Sequence, residues 1–189
     1  MWRHSVLTVS FIAFIQLNHS AVGQERKMVL DMPTKTATIQ LTSPAFKQNE
    51  MIPRQYTCEG KDLSVPLQWT DSPGGTQSFA LICDDPDAPM GTWVHWVLWN
   101  LPADSRELKE GIPAVEKLPN GAGQGMTDFQ RVGYGGPCPP PGGPHRYFFK
   151  LYALDTRLNF SSHVTKPDLE RAMKGHILAE GELVGKYKR

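Results

Sequence analysis

Two carboxylates, two histidines and a phenol are the residues of this chain that could do chemistry together. The stretch "CDDPDAPMGTWVHW", residues 83 to 96, sets Asp85 and Asp87 between prolines and follows them with His95 in an aromatic run. Further along, His145 opens "HRYFFKLYAL" two residues ahead of Tyr147, directly after the glycine- and proline-rich "YGGPCPPPGGP". Imidazoles donate hydrogen bonds to an anion's oxygens, a phenol adds a hydroxyl, and glycine-rich backbone adds N–H groups. A carboxylate in such a set would hold a ring nitrogen, fix its tautomer and favour the protonated ring. A rival chemistry is hydrolysis at a metal, because Asp85, His95 and His145 make up a two-histidine, one-carboxylate set. No close H-x-[DE] or H-x-x-x-H spacing and no GxSxG elbow accompanies them, so the chain is not expected to be an enzyme. The plainest alternative is a rigid Asp-Pro turn beside two core histidines.

Strands must position these side chains. In "WVHWVLWN", residues 93 to 100, alternation puts Trp93, His95, Val97 and Trp99 on one face and Val94, Trp96 and Leu98 on the other. Both faces are apolar, so the strand is expected to be central, with His95 buried and partnered by Asp85 or Asp87. His145, Tyr147, Phe149 and Leu151 share a face of a second aromatic strand. "TATIQL" (36 to 41), "VPLQW" (65 to 69) and "SFALIC" (78 to 83) read as further strands. Residues 101 to 145 show little periodicity, and so long a connection is either functional or hides short elements. One helix is predicted over 166 to 179, opened by Thr165 and Asp168 as a capping box and ended by Gly181, with "ELVGKYKR" closing the chain as a strand.

Pro 16 and Gly 17 exceed what a helical bundle tolerates, so a mainly β domain of packed antiparallel sheets is expected. Lys+Arg 20 against Asp+Glu 19 gives a net charge of +1, with no basic run among aromatics, which argues against nucleic acid as a partner. Arg3 and His4 precede the apolar "VLTVSFIAFIQL", and Ala21 and Gly23 have the spacing of a signal-peptidase site. Residues 1–23 therefore read as a signal peptide, with a retained anchor as the alternative, 24–35 as a flexible lead-in and 36–189 as the domain. Such a chain is exported, to the periplasm or the medium. In an oxidising compartment one cysteine pair is expected. Cys83 ends a core strand while Cys58 and Cys138 lie in loop-like sequence, so these two are the favoured pair; three free buried thiols are the alternative.

"DPDAP" at 85 to 89, "WVHW" around His95 and "GPCPPPGGPHRY" at 136 to 147 resemble the signature of the phosphatidylethanolamine-binding protein family. "MGT" at 90 to 92 and "YTCEGKDLSVPLQW" at 56 to 69 look like its bacterial and archaeal branch, the Raf kinase inhibitor-like proteins. The resemblance covers roughly residues 36 to 189. It implies two antiparallel β-sheets with peripheral helices and a small pocket, needing no cofactor, for phosphate, acetate or a phospholipid headgroup. By motif, Asp85, His95, His145 and Tyr147 would line the pocket, Asp87, Pro89 and Trp93 would shape its wall, and Gly136 and Cys138 its rim. In some exported members the family's disulfide falls where Cys58 and Cys138 stand. The resemblance also implies a homodimer and, as an alternative activity, inhibition of a kinase or protease through protein contact. Where bacterial members read Asn-Asp-Phe-Gly-Tyr this chain has "TDFQR", so Thr127, Gln130 and Arg131 are expected to alter access to the pocket.

Overall fold

The structure, a computed structural model, describes residues 36–161 and 163–189; the expected signal peptide and lead-in lie outside them. In chain order the strands are β1 (Ala37–Thr38), β2 (Leu41–Thr42), β3 (Leu67–Trp69), β4 (Ser78–Asp85), β5 (Trp93–Pro102), β6 (Glu107–Leu108), β7 (Gly123–Gln124) and β8 (His145–Leu154). Helix α1 (Lys166–Met173) and strand β9 (Ile177–Tyr187) complete them. One sheet has the order β1-β9-β8-β4-β5-β7 and a smaller one β2-β3-β6. The architecture is predominantly β, antiparallel except where β1 runs parallel to β9.

Alternation along β4 explains the layering. Phe79, Leu81 and Cys83 face the small sheet, packing with Leu67, Trp69 and Phe149, while Ala80 and Ile82 face α1 through Leu169 and Met173. Every residue of β4 is buried, as a strand covered on both faces requires. The same alternation separates its terminal carboxylates. Asp84 turns to the helix side and pairs with Lys150 at 2.9 Å and with Lys166 of α1. Its neighbour Asp85 turns to the opposite side.

Three readings of the sequence are corrected. Residues 36 to 41 do not form one strand: β1 joins the large sheet and β2 the small one, so the chain crosses between layers at this point. The helix stops at Met173 instead of 179. Gly175 adopts φ 85, a left-handed conformation that ends helices, and the His176 N–H closes on the Met173 carbonyl. The segment from Ile177 is strand, since pairing along the whole of β8 satisfies more backbone than two further helical turns would.

The third correction concerns β5. Asp84 pairs with Val94 but Cys83 with Trp96, so His95 is an extra residue, a β-bulge. A second register shift falls between Phe79 and Leu81, opposite Leu101 and Leu98, where Asn100 has φ 56. Alternation is therefore broken. Val94 and Val97 join the helix-side cluster, whereas Trp96 and Leu98 join the inter-sheet core. The bulge delivers His95 to the side of Trp96 and Tyr147 instead of that of Val97.

Candidate functional site

The end of β4, the bulge in β5 and the start of β8 meet around a cavity of about 430 Å³. Asp85, His95, His145, Tyr147, Pro89, Trp93 and Cys138 line it. Two of the expected residues do not. The Asp87 carboxylate accepts hydrogen bonds from the Arg146 backbone N–H and guanidinium, at 2.7 to 2.9 Å, and so locks the turn after β4 onto β8. The Arg146 bonds hold the Asp87 pKa down to about 2 against an ordinary 3.8. The Gly136 N–H donates to Asp62 Oδ1 at 2.7 Å, and a Cβ there would meet the Tyr56 carbonyl at 2.5 Å. Its role is close packing behind the rim, not contact with the cavity.

Asp85 is held on both oxygens: Oδ1 accepts the Asp87 N–H and Oδ2 contacts His145 Nδ1, each at 2.8 Å. A carboxylate only accepts, so Nδ1 carries the proton and Nε2 of a neutral His145 has a lone pair. His95 is not partnered by Asp85 or Asp87. Its Nδ1 lies 2.6 Å from the Gly135 carbonyl, and the Gly135 N–H donates back to the His95 carbonyl at 2.9 Å. The proton therefore sits on Nδ1 here too. Burial lowers the His95 pKa below 6.5, against the pull of Gly135 and of Asp85, so the ring resists protonation. A neutral His95 with its proton on Nδ1 presents an acceptor at Nε2.

Tyr147 is 1 % exposed, and its hydroxyl has no hydrogen-bond partner among the described residues. Burial first, then the nearby Asp85 charge, push its pKa far above that of a free phenol, so it remains a donor. It lies close to Asp85 but outside hydrogen-bonding geometry. Its ring meets that of His95 edge to face, with centroids 5.1 Å apart. Neither histidine Nε2 bonds to a described residue. The Asp85, His95 and His145 set is thus directed at protein partners through Asp85 and both Nδ1 atoms, and among the described residues no cluster has the geometry to hold a metal ion.

Several lining residues escape the sequence reading. Phe129 stacks edge-on with both His95 and Trp93, at 5.2 and 5.5 Å between centroids. The neighbouring Asp128 accepts the Val94 N–H at 2.7 Å and so props the bulge that places His95. Arg131 turns away, pairing with Asp62 at 2.6 Å, and Gln130 occupies a left-handed turn at φ 56. Of the divergent "TDFQR" segment, Phe129 touches the cavity and its flanking residues hold it there. Met90, 94 % exposed, and Arg189 stand at the mouth. Phe129 and Arg189 are brought in by loop closure and by the end of β9, so no local pattern marks them. Cys58 and Cys138 are disulfide-bonded, with Cα atoms 5.4 Å apart, and Cys83 is a free buried thiol.

The family model described as Phosphatidylethanolamine-binding protein matches residues 42–188. A UPF0098 protein of Methanothermobacter thermautotrophicus is 50% identical over 151 residues, 80% of this chain and 99% of that protein. One of Aquifex aeolicus is 50% identical over 155 residues, covering 81% and 90%. Among solved structures, a phosphatidylethanolamine-binding protein homolog of Chlamydia trachomatis superposes with a TM-score of 0.73 at 41% identity, covering 82% of this chain and 99% of that one. Escherichia coli YbcL, described as a new member of the mammalian PEBP family, gives 0.74 at 35% identity, covering 81% and 99%. The chain belongs to the phosphatidylethanolamine-binding protein family.

Proposed function

We propose that the cavity binds a small phosphate-type anion, inorganic phosphate or a phosphate monoester such as the detached headgroup phosphorylethanolamine, without chemical turnover. The observation that carries this reading is the Tyr147 hydroxyl, a buried donor with no partner among the described residues, at the wall of a cavity that also holds two imidazole Nε2 atoms bonded to none of them. A buried polar group left unpaired costs roughly 1 to 3 kcal/mol, which an acceptor on a ligand would offset. His145, its Nδ1 held by Asp85, supplies a second donor where its Nε2 carries a proton. Neutral His95 accepts a hydrogen bond from the ligand's own hydroxyl, which a singly protonated phosphate has. Inorganic phosphate carries such a hydroxyl in both its singly and its doubly charged form, so lower pH favours binding through the proton at His145 Nε2.

Calorimetric titration with inorganic phosphate and with O-phosphorylethanolamine, at pH 5.5 and pH 8, tests this. Tighter binding at the lower pH is expected, and equal affinity at both would refute the protonation argument. Tyr147→Phe is expected to weaken binding about 10-fold or more, the worth of one hydrogen bond to a charged acceptor, while leaving stability unchanged or slightly higher. Wild-type affinity in that variant would remove the phenol from the site. We further propose that the chain is exported: the Cys58–Cys138 disulfide belongs to an oxidising compartment, in keeping with the leader-like residues 1–23.

A further inference from the structure

Among the described residues thirteen line the cavity, and Arg189 is the one permanent cation of these. The other arginines of this region are neutralised, Arg146 by Asp87 and Arg131 by Asp62. Arg189 has no carboxylate partner among the described residues. Its Nε donates to the Pro139 carbonyl at 2.6 Å, which fixes the guanidinium plane at the rim and leaves both Nη groups unengaged. The placement is set by the sheet. Tyr187, the last residue of β9, pairs with His145, so the chain emerges beside the imidazole and carries Arg189 to the mouth. Lys186 bonded to Glu50 and Tyr187 to Glu59 tie that end down.

Without Arg189 the lining has one carboxylate, Asp85, and no charge to oppose it while His145 is neutral. A guanidinium with two free N–H₂ groups forks over two oxygens of a phosphate, and a charge-assisted fork is worth more against a dianion than against a monoanion. We infer that Arg189 is a specificity-determining residue of this pocket, selecting doubly charged phosphate groups over singly charged carboxylates. The inference rests on the cavity being the anion site proposed above.

The test is titration of wild type, Arg189→Gln and Arg189→Lys with inorganic phosphate and with acetate at pH 7.5, in low and high salt, with thermal melts alongside. Arg189→Gln is expected to weaken phosphate about 10-fold or more and acetate about threefold or less, so that selectivity falls. Arg189→Lys, a point charge without the fork, is expected to fall between the two proteins. The phosphate affinity of wild type is expected to drop with salt more steeply than that of Arg189→Gln. Equal losses for both anions would mean that Arg189 merely holds the Pro139 loop, and unchanged binding would mean it does nothing; either overturns the inference. A wild-type protein that binds neither anion overturns the anion site itself, a separate and recognisable failure.

Discussion

At the scale of single residues, each histidine of the site is defined by what its Nδ1 touches. Asp85 offers His145 a carboxylate that accepts from Nδ1 and turns Nε2 away from it. Gly135 offers His95 only a carbonyl within a buried, aromatic wall, and burial wins over the hydrogen bond. That imbalance has a consequence for folding. His95 is harder to protonate in the folded chain than in the unfolded one, where 6.5 applies, so the unfolded state takes up the proton first as the pH falls. The stability due to neutral His95 is complete above about pH 6.5 and is lost as the pH drops toward the lowered folded value. Denaturant midpoints between pH 8 and pH 5 are therefore expected to decline for wild type, and the decline to be shallower in His95→Gln, which keeps a donor for Gly135. An identical slope in the variant would show that His95 does not control it. The sequence expects an aspartate on His95, its neighbour in the chain; Asp85 instead reaches His145, because the pairing of β4 with β8 brings their ends together from sixty residues apart. The Gly135 contact is equally hidden, because it is made by a loop that reaches the bulge from forty residues away in sequence.

At the scale of elements, legibility tracks how much of a strand is decided by its own residues. β4, β5 and β8 announce themselves by unbroken apolar or aromatic runs, and their positions follow from "SFALIC", "WVHWVLWN" and "RYFFKLYAL". The bulge in β5 leaves no trace in those letters, because an extra residue is a property of two strands paired together. β6 and β7, two residues each, lie hidden in the long connection, which otherwise serves β5 by bonding Gly125, Asp128 and Gly135 to its backbone. The helix boundary is the sharpest case. "AMKGHILAEG" has helical spacing through Ile177, and only the partner strand β8 decides against it. Gly175 tests this directly, because its φ is 85 and a Cβ would meet nothing within 4 Å. Gly175→Ala is expected to cost about 1 kcal/mol through the left-handed backbone alone. Inside a continuing helix the same change would stabilise by roughly as much. The sign of the shift in urea midpoint, at unchanged m-value, separates the two.

At the scale of the whole molecule, the cavity is assembled from segments distant in sequence, and the seam between residues 54–62 and 134–139 closes its rim. The Cys58–Cys138 disulfide crosses that seam over a sequence separation of 80. It does not act alone there. The Cys58 N–H donates to the Pro137 carbonyl at 3.1 Å, the Tyr134 hydroxyl to the Tyr56 carbonyl at 2.9 Å, and Asp62 receives both the Gly136 N–H and Arg131. The disulfide therefore constrains chiefly the unfolded chain, while the hydrogen bonds shape the rim of the folded one. A loop of that length corresponds to about 4.5 kcal/mol in the chain-entropy account. The Cys58→Ser/Cys138→Ser variant is expected to unfold at markedly lower denaturant yet, while folded, to bind inorganic phosphate within about threefold of wild type, a difference near 0.6 kcal/mol. Thiol titration of the unfolded, unreduced protein should find one reactive group, Cys83, among the three cysteines. A folded variant that has lost phosphate binding would show instead that the disulfide itself holds the pocket open, and an unchanged midpoint would show that the hydrogen-bonded seam already does the work of the covalent link.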